Sequence, residues 1–279
     1  MVPDKYKGYG AELPPFFGGM VGYRRIQMLN RMTSLVVAAA FVLVSTASAH
    51  ASEIRVLASN GVKAAVEAMQ PQFERTSGHK LSIEFTTAAS LKQRIEKGEE
   101  FDVAILTDEV VNDLVKSGHL IGYRRAALAR VGIGVGFRKG AARPDVRTAA
   151  SIKQALLSAK SVTYTREGAS RPAIDKLFAS LGIASTIEPK AHLTGPGQAP
   201  ELVARGESEF VLTLISEILP APGVELAGPL PPEFQSYISF SAAPSSNPTD
   251  TNAAQAFVAF LDGAGAAGAY KTAGMEPVK

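Results

Sequence analysis

After residue 52 the chain alternates between segments typical of buried strands and segments typical of helices, and this alternation constrains the fold more than any other feature. Short runs rich in branched apolar residues, typical of strands, cover residues 53–59, 80–85 and 101–106. Apolar residues recur at helical spacing over 62–73 and 108–120. This regular order of strand and helix is the pattern of a parallel sheet covered by helices, so we predict an α/β fold.

The same alternation begins again in the second half of the chain. Helices and strands are predicted in turn at residues 151–160, 161–165, 172–181, 190–194, 199–207 and 210–215. The run "RVGIGVGF" (130–137) alternates Gly with Val or Ile, but no helix opens after it, so a dinucleotide-binding fingerprint is not completed. We interpret it as an extended crossing strand whose glycines let another backbone pack closely, and residues 229–243 as the returning crossing.

Two α/β units and two crossings predict a chain of two lobes whose C-terminus returns to the first lobe. We predict a first lobe of residues 52–128 plus 238–279 and a second lobe of residues 129–237. Each lobe is expected to be a mainly parallel sheet flanked by helices, and two crossing strands join the pair as in hinged proteins. A ligand is expected in the cleft between the lobes, outside the carboxyl ends of the strands.

Residues 1–51 have the features of an export leader. Three arginines precede "MTSLVVAAAFVLVSTASAHA" (32–51), an apolar stretch that ends in the small-residue pattern of a cleavage site. Residues 1–23 lie upstream of a usual basic region, and Met28 or Met32 is a natural start, which leaves open that residues 1–27 are not translated. We predict export to the periplasm with cleavage near Ala49 or Ala51.

Charge and composition exclude several classes of partner and site. The whole chain carries a net charge of +3, but residues 52–279 hold equal numbers of basic and acidic residues, so no general attraction to nucleic acid follows. The chain has no cysteine, which excludes disulfides and thiolate metal sites. The histidines share no ligand spacing and no strong catalytic motif occurs. We therefore predict no metal and no cofactor, and expect a monomer.

A cluster of hydroxyl residues at the start of a predicted helix indicates either an anion site or a helix cap. In "EFTTAASLKQRIEKGEE" (84–100), Thr86, Thr87 and Ser90 come just before the helical pattern. A helix start offers free backbone N–H groups to an anion. Alternatively, Ser90 caps its own helix, since with Gln93 it fits the capping box. We interpret the cluster as both a cap and one wall of the cleft.

Residues 53–279 resemble the periplasmic molybdate-binding protein family, which comprises substrate-binding components of ABC transporters. The resemblance is carried by "IRVLASNGVKAAVEAMQPQFERTSG", "TTAASLKQRIEKGEEFDVAILTD", "VARGESEFVLTL" and "NPTDTNAAQAFVAFLDG", which occur in the family's order. It implies two α/β lobes that close on a small oxyanion and then dock on a permease in the inner membrane.

The resemblance also implies where the ligand would be bound. The implied positions are Ser59, Asn60, Gly61, Thr86, Thr87, Ala88, Thr213 and Leu214. At Gly61 and Ala88 the family usually has Ser, and at Leu214 it often has Tyr. These three replacements remove hydroxyl donors that a molybdate-type site would use, unless Ser59, Asn60 and Thr87 substitute for them.

A divergent branch of the same scaffold, the aconitate isomerases, is also similar to this chain. The similarity rests on Ser59-Asn60-Gly61, on "YTREGAS" (164–170) and on the pair Ser216-Glu217. It implies a small carboxylic acid as ligand. Arg166 and Arg171 flank the turn that contains Ser170, and guanidinium groups suit carboxylates, although a solvated surface would explain them equally well.

Two functions therefore follow from the sequence. The first is a periplasmic substrate-binding protein of an ABC transporter, which binds a small oxyanion such as molybdate or tungstate, or a small carboxylate. The alternative is an enzyme similar to aconitate isomerase, which interconverts cis- and trans-aconitate by proton transfer. Such an enzyme needs a base to move the allylic proton, and Glu167 and Glu217 are the candidates.

Overall fold

The computed structural model describes residues 51–278, which hold ten strands in one mixed sheet. The predicted leader lies outside these residues. None of the helices between residues 51 and 278 combines the length and apolar character that a membrane crossing requires. The strands are β1 (Glu53–Ser59), β2 (Lys80–Thr86), β3 (Val103–Thr107), β4 (Ala126–Arg138), β5 (Val162–Thr165), β6 (Ala191–Thr194), β7 (Phe210–Leu214), β8 (Val224–Pro229), β9 (Tyr237–Pro244) and β10 (Glu276–Pro277).

Helices cover both faces of this sheet, as the alternating pattern predicts for strands that are apolar throughout. Strand β7 is buried along its whole length, and so are the first four residues of β3. Within the described residues the α-helices are α1 (Lys63–Ser77), α2 (Ala88–Glu96), α3 (Asp108–Lys116), α4 (Ala149–Ser158), α5 (Arg171–Leu181), α6 (Ala184–Ile187), α7 (Ala199–Ala204), α8 (Ile215–Ile218), α9 (Thr251–Leu261) and α10 (Ala267–Thr272).

The sheet has two halves that share β4. In the first half, β2, β1 and β3 run parallel, and β9 pairs antiparallel with both β3 and β4. In the second half, β6, β5 and β7 run parallel, and β4 pairs antiparallel with β7 and β8. We call the first half with α1 to α3, α9 and α10 the first lobe, and the second half with α4 to α8 the second lobe. The predicted α/β fold class is confirmed, whereas the predicted lobe boundaries stay predictions.

The glycines of β4 make room for side chains of the strands on either side. A Cβ atom on Gly134 would lie 2.8 Å from Leu226 Cδ1, and one on Gly136 would lie 2.7 Å from Val211 Cγ1. The sequence predicts close packing of another backbone at these glycines. The nearest neighbours are instead the branched side chains of β7 and β8.

Three local features of the structure are not expected from the sequence pattern. A proline inside a helix usually kinks or ends it, yet α1 continues past Pro71 to Ser77. Pro71 and Glu67, whose carbonyl loses its helical partner, are both exposed, so water can take the missing bond, while Met69 and Phe73 anchor the helix on either side. The separate strand β8 and the one-turn helix α8 have no counterpart in the prediction because segments of four to six residues carry little periodicity.

Candidate functional site

A narrow pocket lies between the two lobes at the carboxyl ends of their parallel strands, where open α/β sheets bind ligands. The first lobe contributes the end of β1 and the start of α2. The second lobe contributes the end of β5, the turn before α5, the end of β7 and one side chain of α8. The residues that line the pocket are Ser59, Asn60, Thr87, Ala88, Thr165, Gly168, Ala169, Ser170, Gly197, Thr213, Leu214 and Glu217.

The first-lobe wall is formed by the amino-terminal turn of α2. Thr87 has an extended backbone and caps this helix, because its hydroxyl accepts a hydrogen bond from the backbone N–H of Ser90 at 3.2 Å. The predicted cap at Ser90 is therefore wrong by three residues. Ala88 and Ala89 follow the cap in the first turn, where backbone N–H groups have no acceptor within the helix. They provide donors at this wall.

Three hydroxyl groups of the pocket are free to meet a ligand. Ser59, Thr165 and Ser170 are all buried, at 5%, 7% and 3% exposure. Their side chains form no hydrogen bond with any residue of the described range, 51–278. Ser59 comes from the first lobe and the other two come from the second. Together they supply donors from both sides of the cleft, and hydroxyl donors suit the oxygen atoms of an anion.

Glu217 is the one ionisable residue among the described residues that line the pocket. Burial raises the pKa of its carboxyl group, although the hydroxyl of Thr213 and the backbone N–H of Leu214 both donate hydrogen bonds to it. No basic side chain from the described lining neutralises it. A carboxylate in such a place is a stronger base than one in water, and it accepts a proton near neutral pH more readily.

Gly61 lies directly behind the pocket wall. A Cβ atom at this position would lie 2.5 Å from Phe240 Cζ and 2.7 Å from Leu214 Cδ1, so nothing larger than glycine fits without movement. The residue is packed between the two lobes and does not line the pocket. A serine at this position would have to displace Leu214 or Phe240, which occupy the adjacent space.

The arginines expected near the ligand lie elsewhere. Arg171 pairs with Asp175 four residues later, with its Nε 2.8 Å from both carboxylate oxygens, and its guanidinium carbon lies 5.0 Å from the ring of Tyr164. Arg166 is exposed. Neither side chain lines the pocket.

The structure thus brings together seven of the eleven ligand-binding residues predicted from the sequence, and one of the two candidate bases. Glu167 is exposed and lines an adjoining chamber of about 420 Å³, which shares Ala88, Gly168 and Ala169 with the pocket. The grouped residues are Ser59, Asn60, Thr87, Ala88, Ser170, Thr213, Leu214 and Glu217, and those outside the lining are Gly61, Thr86, Arg166, Arg171 and Glu167.

Four lining residues were missed by the sequence analysis, namely Thr165, Gly168, Ala169 and Gly197. The sequence does contain a pattern that predicts Thr165 as a lining residue. The parallel strands of both lobes each end with a hydroxyl residue at their last or next-to-last position: Ser59, Thr86, Thr107, Thr165, Thr194 and Thr213. Because the carboxyl ends of parallel strands meet at one edge, this pattern marks the site.

The pocket opens on its other side into a chamber of about 460 Å³ that shares Asn60, Gly197 and Glu217 with it. Lys63 is the one cation among the described residues that line this chamber, and its Nζ lies 5.7 Å from the centre of the Phe85 ring. Among residues 51–278 no three His, Asp or Glu side chains converge as metal ligands. The site therefore offers hydroxyl, amide and carboxyl groups for binding and for proton transfer.

The chain matches a protein-family model and is similar in sequence to a known enzyme along most of its length. The family model described as bacterial extracellular solute-binding protein matches residues 54–276. The chain is also 27% identical over 259 residues to an aconitate isomerase from a Pseudomonas species, an alignment that covers 90% of this chain and 98% of that protein.

Solved structures share the fold at lower sequence identity. The periplasmic molybdate-binding protein of Azotobacter vinelandii superposes with a TM-score of 0.67 at 18% identity, covering 80% of this chain and 98% of that one. The sulfate-binding protein SubI from Mycobacterium tuberculosis H37Rv gives a TM-score of 0.65 at 17% identity, covering 82% and 88%. The two-lobe fold and the resemblance to molybdate-binding proteins are thereby confirmed.

Proposed function

Because the chain belongs to the bacterial extracellular solute-binding protein family, we propose that it binds a small polycarboxylate between its lobes and there interconverts cis- and trans-aconitate. The observation that carries this proposal is the partly buried carboxyl group of Glu217 among hydroxyl donors that have no partner within residues 51–278. A carboxylate repels an inorganic dianion and the carboxylates of aconitate alike, so its presence in the pocket is better explained by a role in proton transfer than by a role in binding. The 27% identity to an aconitate isomerase over 98% of that protein supports the same function.

The chemistry requires only a base that gives its proton back. Glu217 in its ionised form removes a proton from the methylene carbon of aconitate, and the electron pair of the broken C–H bond spreads over the allylic system and its carboxylates. The same carboxyl group then returns the proton to the carbon at the other end of that system. The double bond has moved to the bond that was single, and the conformation about that bond when the proton leaves decides whether the product is the cis or the trans isomer. No oxidant, reductant or cofactor is consumed.

The remaining residues of the pocket would bind and orient the substrate. The hydroxyl groups of Ser59, Thr165 and Ser170 donate to substrate carboxylates, as do the N–H groups at the start of α2. Thr213 holds the carboxyl group of Glu217 in place. A raised pKa makes Glu217 a stronger base than an exposed glutamate, and desolvation in the cleft preserves that strength.

An ultraviolet assay of cis- and trans-aconitate interconversion tests the proposal. We expect the wild-type protein to be active and Glu217→Gln to lose about 10²–10⁴-fold in kcat, the usual contribution of a general base. Glu167→Gln is the matched control, because Glu167 is exposed and lies outside the pocket lining. Equal loss in both variants, or full activity of Glu217→Gln, contradicts the assignment.

The second candidate is a substrate-binding protein of an ABC transporter, favoured by the structural likeness to molybdate- and sulfate-binding proteins. A thermal-shift screen against molybdate, tungstate, sulfate, phosphate, citrate and both aconitates identifies the ligand class, since a ligand of the folded state raises the Tm by mass action. A shift with molybdate or tungstate alone supports transport. A shift with the tricarboxylates alone excludes an oxyanion ligand, and the ultraviolet assay then distinguishes the isomerase from a carboxylate-binding protein.

The cellular setting follows from the family. We place the chain in the periplasm, after removal of the predicted leader near Ala49 or Ala51, as a monomer that needs no cofactor and binds no nucleic acid. If it serves transport, its partner is an ABC permease in the inner membrane. Size-exclusion chromatography of the exported protein, with mass determination of its amino terminus, tests the monomer and the cleavage site together.

A further inference from the structure

A buried hydrogen bond joins the two lobes beside the pocket. The hydroxyl group of Ser216, on α8 of the second lobe, donates to the backbone carbonyl of Gly61 in the first lobe at 2.7 Å. The two residues are 155 positions apart in the chain, and Ser216 is only 3% exposed. The bond is therefore shielded from water and depends on the relative position of the lobes.

Helix α8 rests on two glycines of the first lobe. Gly61 leaves no space for a Cβ atom, with Leu214 and Phe240 within 2.7 Å of where it would stand. A Cβ atom on Gly274, which has a φ of +75°, would lie 2.8 Å from Ile215 and 2.5 Å from Leu219. The segment from Leu214 to Leu219, which contains α8, therefore packs closely on the first lobe at both glycines.

This contact connects the chain segments that carry the site groups of both lobes. Ser216 immediately precedes Glu217 on a helix of four residues, so the two residues move together. Gly61 immediately follows Asn60, which lines the pocket. The two lobes also come close at a third place, since a Cβ atom on Gly197 of the second lobe would lie 3.4 Å from the side-chain nitrogen of Asn60 in the first lobe.

From these contacts we infer that the Ser216–Gly61 hydrogen bond is a closure contact, which positions Glu217 for proton transfer when the lobes come together on the substrate. Ser216 is thus a positioning residue, acting through its neighbour. The inference rests on the proposed function and deepens it. In its absence the lobes still fold, but Glu217 is no longer held against Asn60 and Ser59, and water reaches its carboxyl group.

The first test is the Ser216→Ala variant, assayed with trans-aconitate. We expect kcat to fall about tenfold, the effect of one lost hydrogen bond in the assembled site, with a change in KM of less than about threefold. The acid limb of the kcat–pH profile should move to lower pH, because a carboxyl group that gains water loses the burial that raises its pKa. Ser216→Thr keeps the hydroxyl group and should restore both.

The charged groups near Glu217 remain the same in these variants. On the wide side of the cleft they are Lys63 and Glu67 of α1, and Glu201 of α7. All three are exposed, and none belongs to α8. A shift of the acid limb in Ser216→Ala therefore reports the change in lobe contact.

Thr163→Val is the matched control. Thr163 donates a hydrogen bond of 2.8 Å to the carbonyl of His192, is fully buried and lies within the second lobe. Its replacement removes the same kind of bond without touching the contact between lobes. We expect wild-type kcat and an unchanged acid limb. A loss equal to that of Ser216→Ala would show that any buried hydroxyl matters, and would overturn the inference.

Small-angle scattering tests closure without relying on activity. The scattering is measured with trans-aconitate at about 1 mM, a concentration on the order of a typical upper KM. Under these conditions we expect Gly61→Ala to be more extended than the wild-type protein, because the added methyl group separates Leu214 from Phe240. If the wild type shows no isomerase activity, the proposed function fails, while extended Gly61→Ala and Ser216→Ala still support the closure contact. If both variants match the wild type in scattering and in kcat, the inference is wrong.

Discussion

At the scale of single residues, the carboxyl group of Glu217 is held in a position where its charged form is destabilised. Burial raises its pKa, and the hydrogen bonds from Thr213 and Leu214 compensate only in part. Below the ordinary carboxyl range the group is neutral in the folded and unfolded states, so folding carries no charge penalty. As the pH rises, the unfolded state ionises first and stability falls until the pH passes the raised pKa.

Glu217→Gln should therefore be more stable than the wild type at pH 7 and equally stable below about pH 4. The neutral amide can still accept the two hydrogen bonds but never carries the desolvated charge. Thermal unfolding at a series of pH values measures the difference. A Tm difference that stays constant from pH 3 to pH 8 would contradict an ionisation cost. Such a gain in stability with a loss of activity is the usual trade-off at functional sites.

Thr194 offers a second residue-scale prediction. Its hydroxyl group is buried without a hydrogen-bond partner in the described residues, and it pairs across the sheet with Thr165. Thr194→Val should raise the free energy of unfolding by about 1 kcal/mol, because the cost of burying an unpaired hydroxyl disappears.

Urea unfolding measures the change in the free energy of unfolding for Thr194→Val, and Thr163→Val is the comparison for which we expect a change of opposite sign. The hydroxyl group of Thr163 has a partner, the carbonyl of His192 at 2.8 Å, so its loss should cost about 1 kcal/mol. The two substitutions are chemically identical and lie on neighbouring strands of one lobe. Changes of the same sign would contradict the assignment of Thr194 as unpaired.

The residue scale also shows what the sequence could and could not reveal about the site. Hydroxyl residues at strand ends were visible in the sequence, and the resemblance added Glu217. Arg171 was wrongly expected to contact the ligand, because the sequence does not show whether a guanidinium group is free or already paired. Its pairing with Asp175, four residues later on the same helix, is a spacing that favours an ion pair. The contact between Ser216 and Gly61 could not be predicted, since it depends on how two distant segments meet.

At the scale of elements, one buried carboxylate holds three segments of the first lobe together. Asp102, 2% exposed, accepts hydrogen bonds from the backbone N–H of Arg55 in β1 at 2.7 Å and of Thr249 before α9 at 2.6 Å. Its own N–H donates to the carbonyl of Arg55. This role agrees with the position of Asp102 directly before β3, where the sequence allows its carboxylate to bind a neighbouring backbone N–H.

Asp102→Ala should lower the free energy of unfolding by about 3 kcal/mol, because two hydrogen bonds to a buried, charged acceptor are lost. Chemical denaturation measures this value. Glu100→Ala is the control, since Glu100 forms only a surface ion pair with Arg55 at 3.8 Å and its side chain is 92% exposed. It should cost less than about 0.5 kcal/mol. Similar losses in both variants would contradict the structural role of Asp102.

The alternation of strands and helices predicted these elements well because each long element carries its own periodic signal. The parallel strands β1, β2, β3, β5 and β7 lie within a few residues of the predicted bounds. Strand β8 and helix α8 were missed because their position is set by contacts with β4 and with the first lobe. Short elements stabilised mainly by tertiary contacts leave little trace in the local sequence.

At the scale of the whole molecule, the two lobes share both a strand and a core. Strand β4 pairs with β9 in its first half and with β7 and β8 in its second. One cluster of buried apolar side chains extends from Val56 in the first lobe to Leu212 in the second. The lobes are therefore coupled by continuous structure as well as by the contact at Ser216.

We expect calorimetry to show a single unfolding transition, because neither lobe can lose β4 without exposing part of the shared core. Saturating trans-aconitate at 100 times its Kd should stabilise the whole transition by about 2.7 kcal/mol. Two resolved transitions, with only one of them shifted by the ligand, would show that the lobes unfold independently.

The place of β9 in the sheet has a consequence for how the chain acquires its structure. It lies between β3 and β4, although it is made more than 120 residues after β3 ends. Strands β4 to β8 are contiguous in the chain and can pair as soon as they leave the ribosome. The sheet of the first lobe stays open at β3 until residues 237–244 arrive. We therefore expect the lobe that is synthesised first to be the last one completed.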